Sequence, residues 1–228
     1  MSNDINEKYS KFYNGKNKGR KYPTEFVVRS FLASYPNHDK LKFKKHDKIL
    51  DIGFGDGRNS MFLCDQGFEV YGTEITKEIV ELTNKNMQEF GYNVNFKVGR
   101  NTNIPFKNNF FDFVLASHVC YYCDPGEIFE DNLKEISNKL KKNGFFIGSV
   151  VNSKTYLLKD SIILTDGTRK ITHDPYNNRE GYRMKSFENK TSVKKAFSKY
   201  FYDIRIGIAN NNYFGIDEKV FWVICKKR

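Results

Sequence analysis

A short apolar run that ends in three alternating glycines constrains the fold of this chain most. Lys48–Ile52 is a mainly apolar segment of strand length, and Gly53, Gly55 and Gly57 follow it before a helical pattern begins. Glycines at such a point let the backbone turn sharply and let a ligand approach the N-terminus of the next helix. The segment predicts a buried strand, a tight turn and a helix.

Short apolar runs and helical patterns alternate along most of the chain. The predicted strands are Lys48–Ile52, Phe68–Thr73, Val94–Val98, Phe111–Ala116, Phe145–Val151, Asp203–Ala209 and Lys219–Cys225. Five helices are predicted. The first opens after Pro23, the second covers Gly57–Gln66, and the third begins at Thr76. The fourth covers Gly126–Lys142, with Gly144 as its stop, and the fifth runs from Thr191 through Phe201. Strands separated by helical crossovers form a sheet covered on both faces. We predict an α/β fold with a doubly wound, Rossmann-like sheet of seven strands, mostly parallel.

Composition and charge exclude several classes of protein. No apolar stretch approaches the roughly 20 residues of a membrane helix, and no secretory signal is recognised, so a cytoplasmic protein without a membrane partner is expected. The net charge of +11 raises the question of a nucleic-acid partner, but the basic residues are scattered, which makes one unlikely. Cys120 and Cys123 form a CxxC pair without a convincing set of further ligands, so no metal is predicted.

Two acidic residues at strand ends discriminate between cofactors. Asp51 lies just before the glycines, where its carboxylate would repel a pyrophosphate and attract a cationic sulfonium amino acid. Glu74 ends the second strand, where a carboxylate can accept both hydroxyls of a ribose. Taken alone, the glycine motif could be an ordinary turn between a strand and a helix, and Glu74 could be a solvated residue at a strand end. The two together favour a sulfonium nucleoside.

These motifs resemble those of the class I S-adenosylmethionine-dependent methyltransferases, over about Lys48 to Val151, with wording closest to the tellurite-resistance and thiopurine enzymes. Asp51–Gly57 matches the family's first motif and Glu74 its ribose acid. The resemblance implies S-adenosyl-L-methionine as cofactor, S-adenosyl-L-homocysteine as product, and an antiparallel C-terminal edge hairpin. The residues assigned to the cofactor are Asp51, Gly53, Gly55, Gly57, Glu74, Ile75, Asn101, Thr102, Ser117, Tyr13 and Tyr22.

One position departs from the family pattern. Many relatives carry Asp where this chain has Arg100, and that Asp usually accepts the adenine amino group. Asn101, Thr102 or the backbone beside them could replace it. Arg100 itself could face solvent or pair with a carboxylate.

The domain organisation follows from these assignments. The 228 residues, 39% of them apolar, suffice for one large α/β domain. We divide it into residues 1–46, an N-terminal lid and helix; 47–151, the cofactor-binding core; 152–190, a substrate-specificity insertion; and 191–228, the final helix and edge strands. Within these, residues 14–21 are predicted to form a mobile loop or lid, and residues 161–172 a hairpin that turns at Asp166 and Gly167.

The acceptor is expected beyond the carboxyl ends of the first and fourth strands, at residues 117–122. Methyl transfer is an in-line displacement, in which a base is needed chiefly for a hydroxyl acceptor. His118 is the candidate catalytic base, and a purely structural role is the alternative. N-terminal aromatic residues are predicted to fold over the cofactor and exclude water, with disorder as the alternative.

The insertion is the predicted specificity element, because loops at this edge of the sheet carry function. Arg179 and Arg183 lie there among aromatic residues and suit an anionic or sugar-like acceptor, unless their charges are simply solvated. The predicted substrate-binding residues are Tyr121, Tyr122, His173, Tyr176, Arg179, Tyr182 and Arg183.

The sequence as a whole favours methyl transfer to an oxygen or nitrogen of a small molecule. A sugar or phosphate-bearing metabolite of surface-polysaccharide biosynthesis is one such acceptor. Methylation of RNA or protein is a second hypothesis, motivated by the charge. A noncatalytic cofactor-binding module and a nicotinamide dehydrogenase are the hypotheses from other classes, and Asp51 argues against the latter.

Overall fold

The computed structural model describes residues 2–14 and 19–228. Its helices are α1 (Ser2–Asn14), α2 (Glu25–Leu32), α3 (Arg58–Asp65), α4 (Lys77–Glu89), α5 (Phe129–Lys139) and α6 (Lys190–Phe197). Its strands are β1 (Lys48–Ile52), β2 (Glu69–Glu74), β3 (Asn95–Val98), β4 (Phe111–Ala116), β5 (Tyr122–Cys123), β6 (Leu140–Asn152), β7 (Ile162–Ile163), β8 (Arg169–Lys170), β9 (Arg183–Met184), β10 (Ser186–Phe187), β11 (Phe201–Tyr213) and β12 (Ile216–Lys227).

The main sheet has the strand order β3-β2-β1-β4-β6-β12-β11, and the short β10 also pairs with β6. Strands β3, β2, β1, β4 and β6 are parallel. Strand β12 runs antiparallel to β6, and β11 runs antiparallel to β12. The predicted doubly wound sheet of seven strands and its antiparallel C-terminal hairpin are confirmed.

Residues of β1 show how the sheet buries both faces. Side chains alternate along a strand, so Ile49 joins one buried cluster and Leu50 and Ile52 join the other. Helices α2, α3 and α4 pack on the first side, and α5 and α6 pack on the second. Both faces exclude water, which explains why the sequence of β1 is a continuous apolar run rather than an alternating one.

The chain order of the strands creates a crevice at the carboxyl edge of the sheet. Strand β1 lies between β2 and β4, and the connections that leave β1 and β4 diverge from this point. Ligands bind at such a switch point in open α/β sheets. The turn after β1 and the loop after β4 therefore face the same space.

The insertion builds a second, small sheet in the order β5-β9-β8-β7. Strands β7 and β8 form the predicted hairpin, with Ile163 opposite Arg169. Strand β5 belongs to the loop after β4, and Tyr122 pairs with Met184 of β9. This pairing fixes the insertion beside the crevice.

Three predictions about element boundaries were wrong. Gly144 does not end a helix: α5 stops at Lys139 because Leu140 adopts an extended conformation, with φ of −71° and ψ of 144°, and β6 starts at that residue. Phe201 is not helical and starts β11, after a turn that follows α6. The terminal strands are also longer than predicted and meet at a turn at Gly215.

Helix α1 was not predicted. The sequence indicated a lid without a helix before residue 14, and residues 15–18 of the predicted mobile loop lie outside the described residues. Ile5 and Tyr9 pack against the core beside the crevice. The helix is polar on average, so burial of this narrow apolar side by tertiary contact stabilises it, and intrinsic propensity contributes little.

Candidate active site

The turn after β1 is made of glycines in left-handed conformations. The φ angles of Gly53, Gly55 and Gly57 are +64°, +55° and +77°. A Cβ atom on Gly53 would lie 2.7 Å from Val119, and one on Gly55 would lie 2.6 Å from the hydroxyl of Tyr13. Any larger residue would strain the backbone and collide with these neighbours. The turn is therefore shaped for close approach, and Gly57 starts α3 at its end.

Two buried carboxylates lie at the ends of β1 and β2. Asp51 accepts a hydrogen bond from Ser60 Oγ at 2.7 Å. Glu74 accepts from the backbone N–H groups of Gly55 at 3.1 Å and of Ile75 at 2.8 Å. Burial raises the pKa of Asp51 to about 7 and the pKa of Glu74 to about 6, against the opposing effect of these hydrogen bonds. A neighbouring ligand that supplies positive charge or hydroxyl donors would favour the charged form of each carboxylate.

A cavity of about 460 Å³ opens beside the glycine turn. Its wall combines α1, the carboxyl ends of β1, β2 and β4, the insertion and the start of β12. The predicted site residues that line it are Tyr13, Gly53, Glu74, Ile75, Asn101, Ser117, His118, Tyr121, Tyr122, Tyr176, Arg179 and Tyr182. The structure thus brings together the residues assigned to cofactor and to acceptor.

Other predicted residues lie outside the wall. Asp51, Gly55 and Gly57 belong to the strand end and turn that support it. Tyr22 does not reach the cavity and is 79% exposed, because the chain leads away along the protein surface into α2. Thr102 turns its hydroxyl to Glu127 instead of into the cavity.

Two predicted acceptor residues of the insertion also lie elsewhere. Arg183 forms an ion pair with Asp166 at the turn between β7 and β8, which directs its guanidinium away from the cavity. The side chain of His173 is 69% exposed, and its Nδ1 lies 3.9 Å from Glu180. An ion pair within the insertion therefore accounts for the position of Arg183, and His173 lies at the protein surface.

The expected adenine end of the cavity has an ion pair at its edge. Arg100 donates to Asp124 at 2.7 Å and to Asn6 at 3.2 Å, which answers the question of its partner. Asn101 donates from Nδ2 to the carbonyl oxygens of Val119 and Tyr122, both at 3.1 Å. Asn101 therefore holds the loop after β4 against the end of β3.

His118 lies at the other end of the cavity in a constrained conformation. Its φ is +58°, and its backbone N–H donates to Ser149 Oγ at 2.8 Å. Its ring meets Trp222 edge to face at 5.1 Å, and Nδ1 lies 3.9 Å from Glu218 Oε1. Burial lowers the pKa of His118, Glu218 opposes this, and Arg179 adds to it. Burial of the ring therefore disfavours the charged imidazolium form of His118.

Tyrosines and one arginine form the insertion side of the cavity. Arg179 lies over the rings of Tyr156 and Tyr176, at 5.8 and 5.7 Å. It donates twice to Asp174, at 2.9 and 3.0 Å, and once to the hydroxyl of Tyr156 at 2.9 Å. The negative charge of Asp174, whose side chain is fully buried, cancels the positive charge of Arg179, so the pair brings no net charge to the cavity.

Several wall residues were missed by sequence reasoning. They include Asp124, Glu127, Tyr156, Tyr213, Ile216, Glu218 and Val220. Ile216, Glu218 and Val220 are alternate residues of β12 and therefore share one face of the strand. The predicted strand began at Lys219, three residues after the observed start, so this pattern was not recognised. The residues of the irregular insertion carried no such periodic signal.

The CxxC thiols do not face the cavity as a reactive pair. Cys120 and Cys123 are buried, and burial raises the pKa of both, that of Cys123 to about 12. Among the described residues no group of three or more His, Cys, Asp or Glu side chains could hold a metal ion. No helix in the described ranges is long and apolar enough to cross a membrane.

Comparison with known proteins identifies the family. Residues 50–148 match the family described as "Methyltransferase domain". This range runs from β1 to β6 and contains the glycine turn, Glu74 and His118. Residues 50–148 carry a methyltransferase domain. The family predicted from the sequence is confirmed, and its cofactor is S-adenosyl-L-methionine.

Relatives of the methyltransferase domain agree with this result. An uncharacterised methyltransferase of Bacillus subtilis, YcgJ, is 30% identical over 44% of this chain and 39% of its own length. A ubiquinone biosynthesis O-methyltransferase of Pelagibacter ubique is 26% identical over 68% of this chain and 62% of its own. The alignments thus span less than two thirds of either relative. An S-adenosylmethionine-dependent methyltransferase structure from Methanosarcina mazei superposes over 81% of this chain and 94% of its own, with a TM-score of 0.64 and 21% identity, and shares the fold.

The crevice of the methyltransferase domain fits this cofactor. The glycine turn leaves space that a Cβ would fill, and Glu74 presents a carboxylate at the wall. Ser117 lines the cavity, and its buried hydroxyl has no hydrogen-bond partner among the described residues. A buried polar group without a partner is uncommon in folded proteins and is consistent with a bound ligand.

Proposed function

We propose that this protein transfers the methyl group of S-adenosyl-L-methionine to an oxygen or nitrogen of a small-molecule acceptor. The observation that carries the proposal is the single cavity that joins Glu74 and the glycine turn to His118 and the tyrosines of the insertion. Its volume lies in the range of small-molecule sites. Helix α1 and the insertion both contribute to its wall, which favours a small acceptor over RNA or a protein chain.

The residues of the chain would divide the work. Glu74 and the glycine turn would bind the ribose and methionine parts of the cofactor, which supplies a sulfonium methyl group as the electrophile when bound. Tyr121 and Tyr122 would orient the acceptor, and α1 would exclude water with Tyr9 and Tyr13. Alignment of the acceptor with the methyl group supplies much of the acceleration in such displacements.

The charges of the cavity bear on the acceptor class. Arg179 offers hydrogen bonds at the wall, but its bidentate bond to Asp174 cancels its charge. Arg183 is paired with Asp166 away from the wall. This balance favours a neutral acceptor, such as a sugar hydroxyl of surface-polysaccharide biosynthesis, over one that is recognised through a phosphate.

Calorimetry with the purified protein tests the proposal first. We expect micromolar binding of S-adenosyl-L-methionine and S-adenosyl-L-homocysteine, and no binding of NAD or ATP. Release of S-adenosyl-L-homocysteine is then measured with panels of hydroxyl, amine and thiol acceptors. Cofactor binding with no release of S-adenosyl-L-homocysteine in all of the panels would favour a noncatalytic module and refute the proposal. Release only with RNA or protein, together with steep salt dependence, would refute the small-molecule assignment.

A further inference from the structure

The pair formed by His118 and Glu218 is not explained by cofactor binding. Glu218 lies on the face of β12 that lines the cavity, between Ile216 and Val220. Its Oε1 lies 3.9 Å from Nδ1 of His118, and no lysine or arginine forms an ion pair with it among the described residues. The distance is too long for a direct hydrogen bond, but a carboxylate on this side of the ring electrostatically favours the proton on Nδ1, which leaves the lone pair on Nε2.

The backbone of His118 also indicates a functional constraint. A non-glycine residue with φ of +58° is uncommon and unfavourable. The N–H bond to Ser149 Oγ holds it, and Ser149 is fully buried on β6. The ring lies against Trp222 of β12, which fixes it from the other side. Ser149 thus holds the backbone of His118 and Trp222 holds its ring at the cavity wall.

A second cavity, between α2 and the hairpin of β11 and β12, meets the same pair. It has a volume of about 1270 Å³, and His118, Glu218 and Trp222 line it too. The imidazole therefore lies between the reaction cavity and a separate open space. A proton accepted from the first can leave through the second.

We infer that Glu218 is a positioning residue that holds His118 as the general base, and that the acceptor atom is a hydroxyl oxygen. This inference rests on the proposed function. In the step, the oxygen–carbon bond forms while the sulfur–methyl bond breaks, and the sulfur keeps that electron pair. The hydroxyl proton moves to Nε2 of His118, and the carboxylate of Glu218 balances the imidazolium charge. Amines and thiolates need this proton transfer less, so the pair is useful chiefly for a hydroxyl.

Nuclear magnetic resonance of the imidazole tests the positioning role without an acceptor. We expect the Nδ1–H tautomer in the protein, with the signals of His118 assigned by their loss in His118→Asn. Glu218→Gln should lower the pKa of His118, because Glu218 raises it while burial and Arg179 lower it. Asp217→Asn is the matched control, since Asp217 is the adjacent carboxylate of β12 and pairs with Lys219. An unchanged His118 pKa and tautomer in Glu218→Gln would overturn the positioning role.

Turnover with the acceptor panels tests the base and the acceptor class. We expect release with hydroxyl acceptors, a loss of at least roughly a hundred-fold in His118→Gln, and a loss of at least roughly ten-fold in Glu218→Gln. The pH at which the rate begins to rise should move down in Glu218→Gln, while cofactor affinity stays within about two-fold. Release only with amine acceptors would overturn this inference and leave the proposed function intact, whereas release only with thiol acceptors would overturn both. No release from any panel would count against the proposed function, and the imidazole tautomer would still decide the role of Glu218.

Discussion

The substitution Asp51→Asn should stabilise the protein while it weakens cofactor binding. Asp51 is 1% exposed, with Ser60 as its hydrogen-bond donor. Burial raises its pKa from 3.8 to about 7. Ionisation of this group is thus much harder in the folded protein than in the unfolded chain, and Asn removes the ionisable group while keeping a similar shape.

The sign and size of the effect follow from the two pKa values of Asp51. Below pH 3.8 the carboxyl is protonated in both states, so the substitution has little effect. As the pH rises, the unfolded chain ionises first, and the folded protein loses stability until the pH passes about 7. The full loss corresponds to about 4 kcal/mol. We expect Asp51→Asn to raise the free energy of unfolding by about 4 kcal/mol at pH 8 and by less than about 2 kcal/mol at pH 5.

Urea unfolding at both pH values measures this difference directly. Asp39→Asn is the matched control, because Asp39 is an exposed carboxylate outside the crevice, and we expect it to change stability by less than about 0.5 kcal/mol. Calorimetry on the same samples should show weaker binding of S-adenosyl-L-methionine to Asp51→Asn. A stability gain that is absent at pH 8, or equal at the two pH values, would refute the argument from burial.

The remaining predictions concern the turn and the insertion. Glu74→Gln should weaken binding of S-adenosyl-L-methionine by about 1 to 3 kcal/mol in calorimetry. In the wild type, the affinity for S-adenosyl-L-methionine should fall as the pH drops below about 6, because Glu74 then becomes protonated. Gly55→Ala should destabilise the fold by at least about 1 kcal/mol in thermal unfolding, because φ is +55° and the Cβ would meet Tyr13; an unchanged melting temperature would contradict this. Asp174→Asn should cost about 3 kcal/mol in urea unfolding because it leaves Arg179 without its buried partner, whereas Asp166→Asn, at the exposed turn, should cost less.

The sequence predicted the central sheet because its strands are short, mainly apolar runs with clear stops. The boundaries of β1 and β4 agree with the predictions, since both strands are buried on two faces and glycine or polar residues follow. Strands of two residues, such as β5 and β9, have no period to detect, and they arise from pairing between segments far apart in the chain. The strands of the central sheet could therefore be predicted from the sequence, while the architecture of the insertion could not.

The same distinction separates the predictable part of the site from the rest. Asp51 and Glu74 occupy strand ends that adjacent glycines and parallel topology bring together, so spacing alone was informative. Glu218 is 100 residues away from His118 in the chain, and their proximity depends on the register of β12 against β6, where Val220 pairs with Val151. No local pattern encodes that register. The position of an antiparallel strand added late in the chain can be obtained only from the folded sheet.

Two buried carboxylates and a histidine with an unfavourable backbone conformation lie at the crevice. Asp51 and Glu74 are carboxylates whose burial disfavours their charge, and His118 has a strained backbone. By contrast, the insertion matches its buried Arg179 with Asp174 through two hydrogen bonds. Such local instability persists only where the surrounding structure enforces it and a ligand can offset it. A cationic cofactor with ribose hydroxyls would offset the two carboxylates, and a hydroxyl acceptor would employ the histidine, so these three residues together support one continuous site for both.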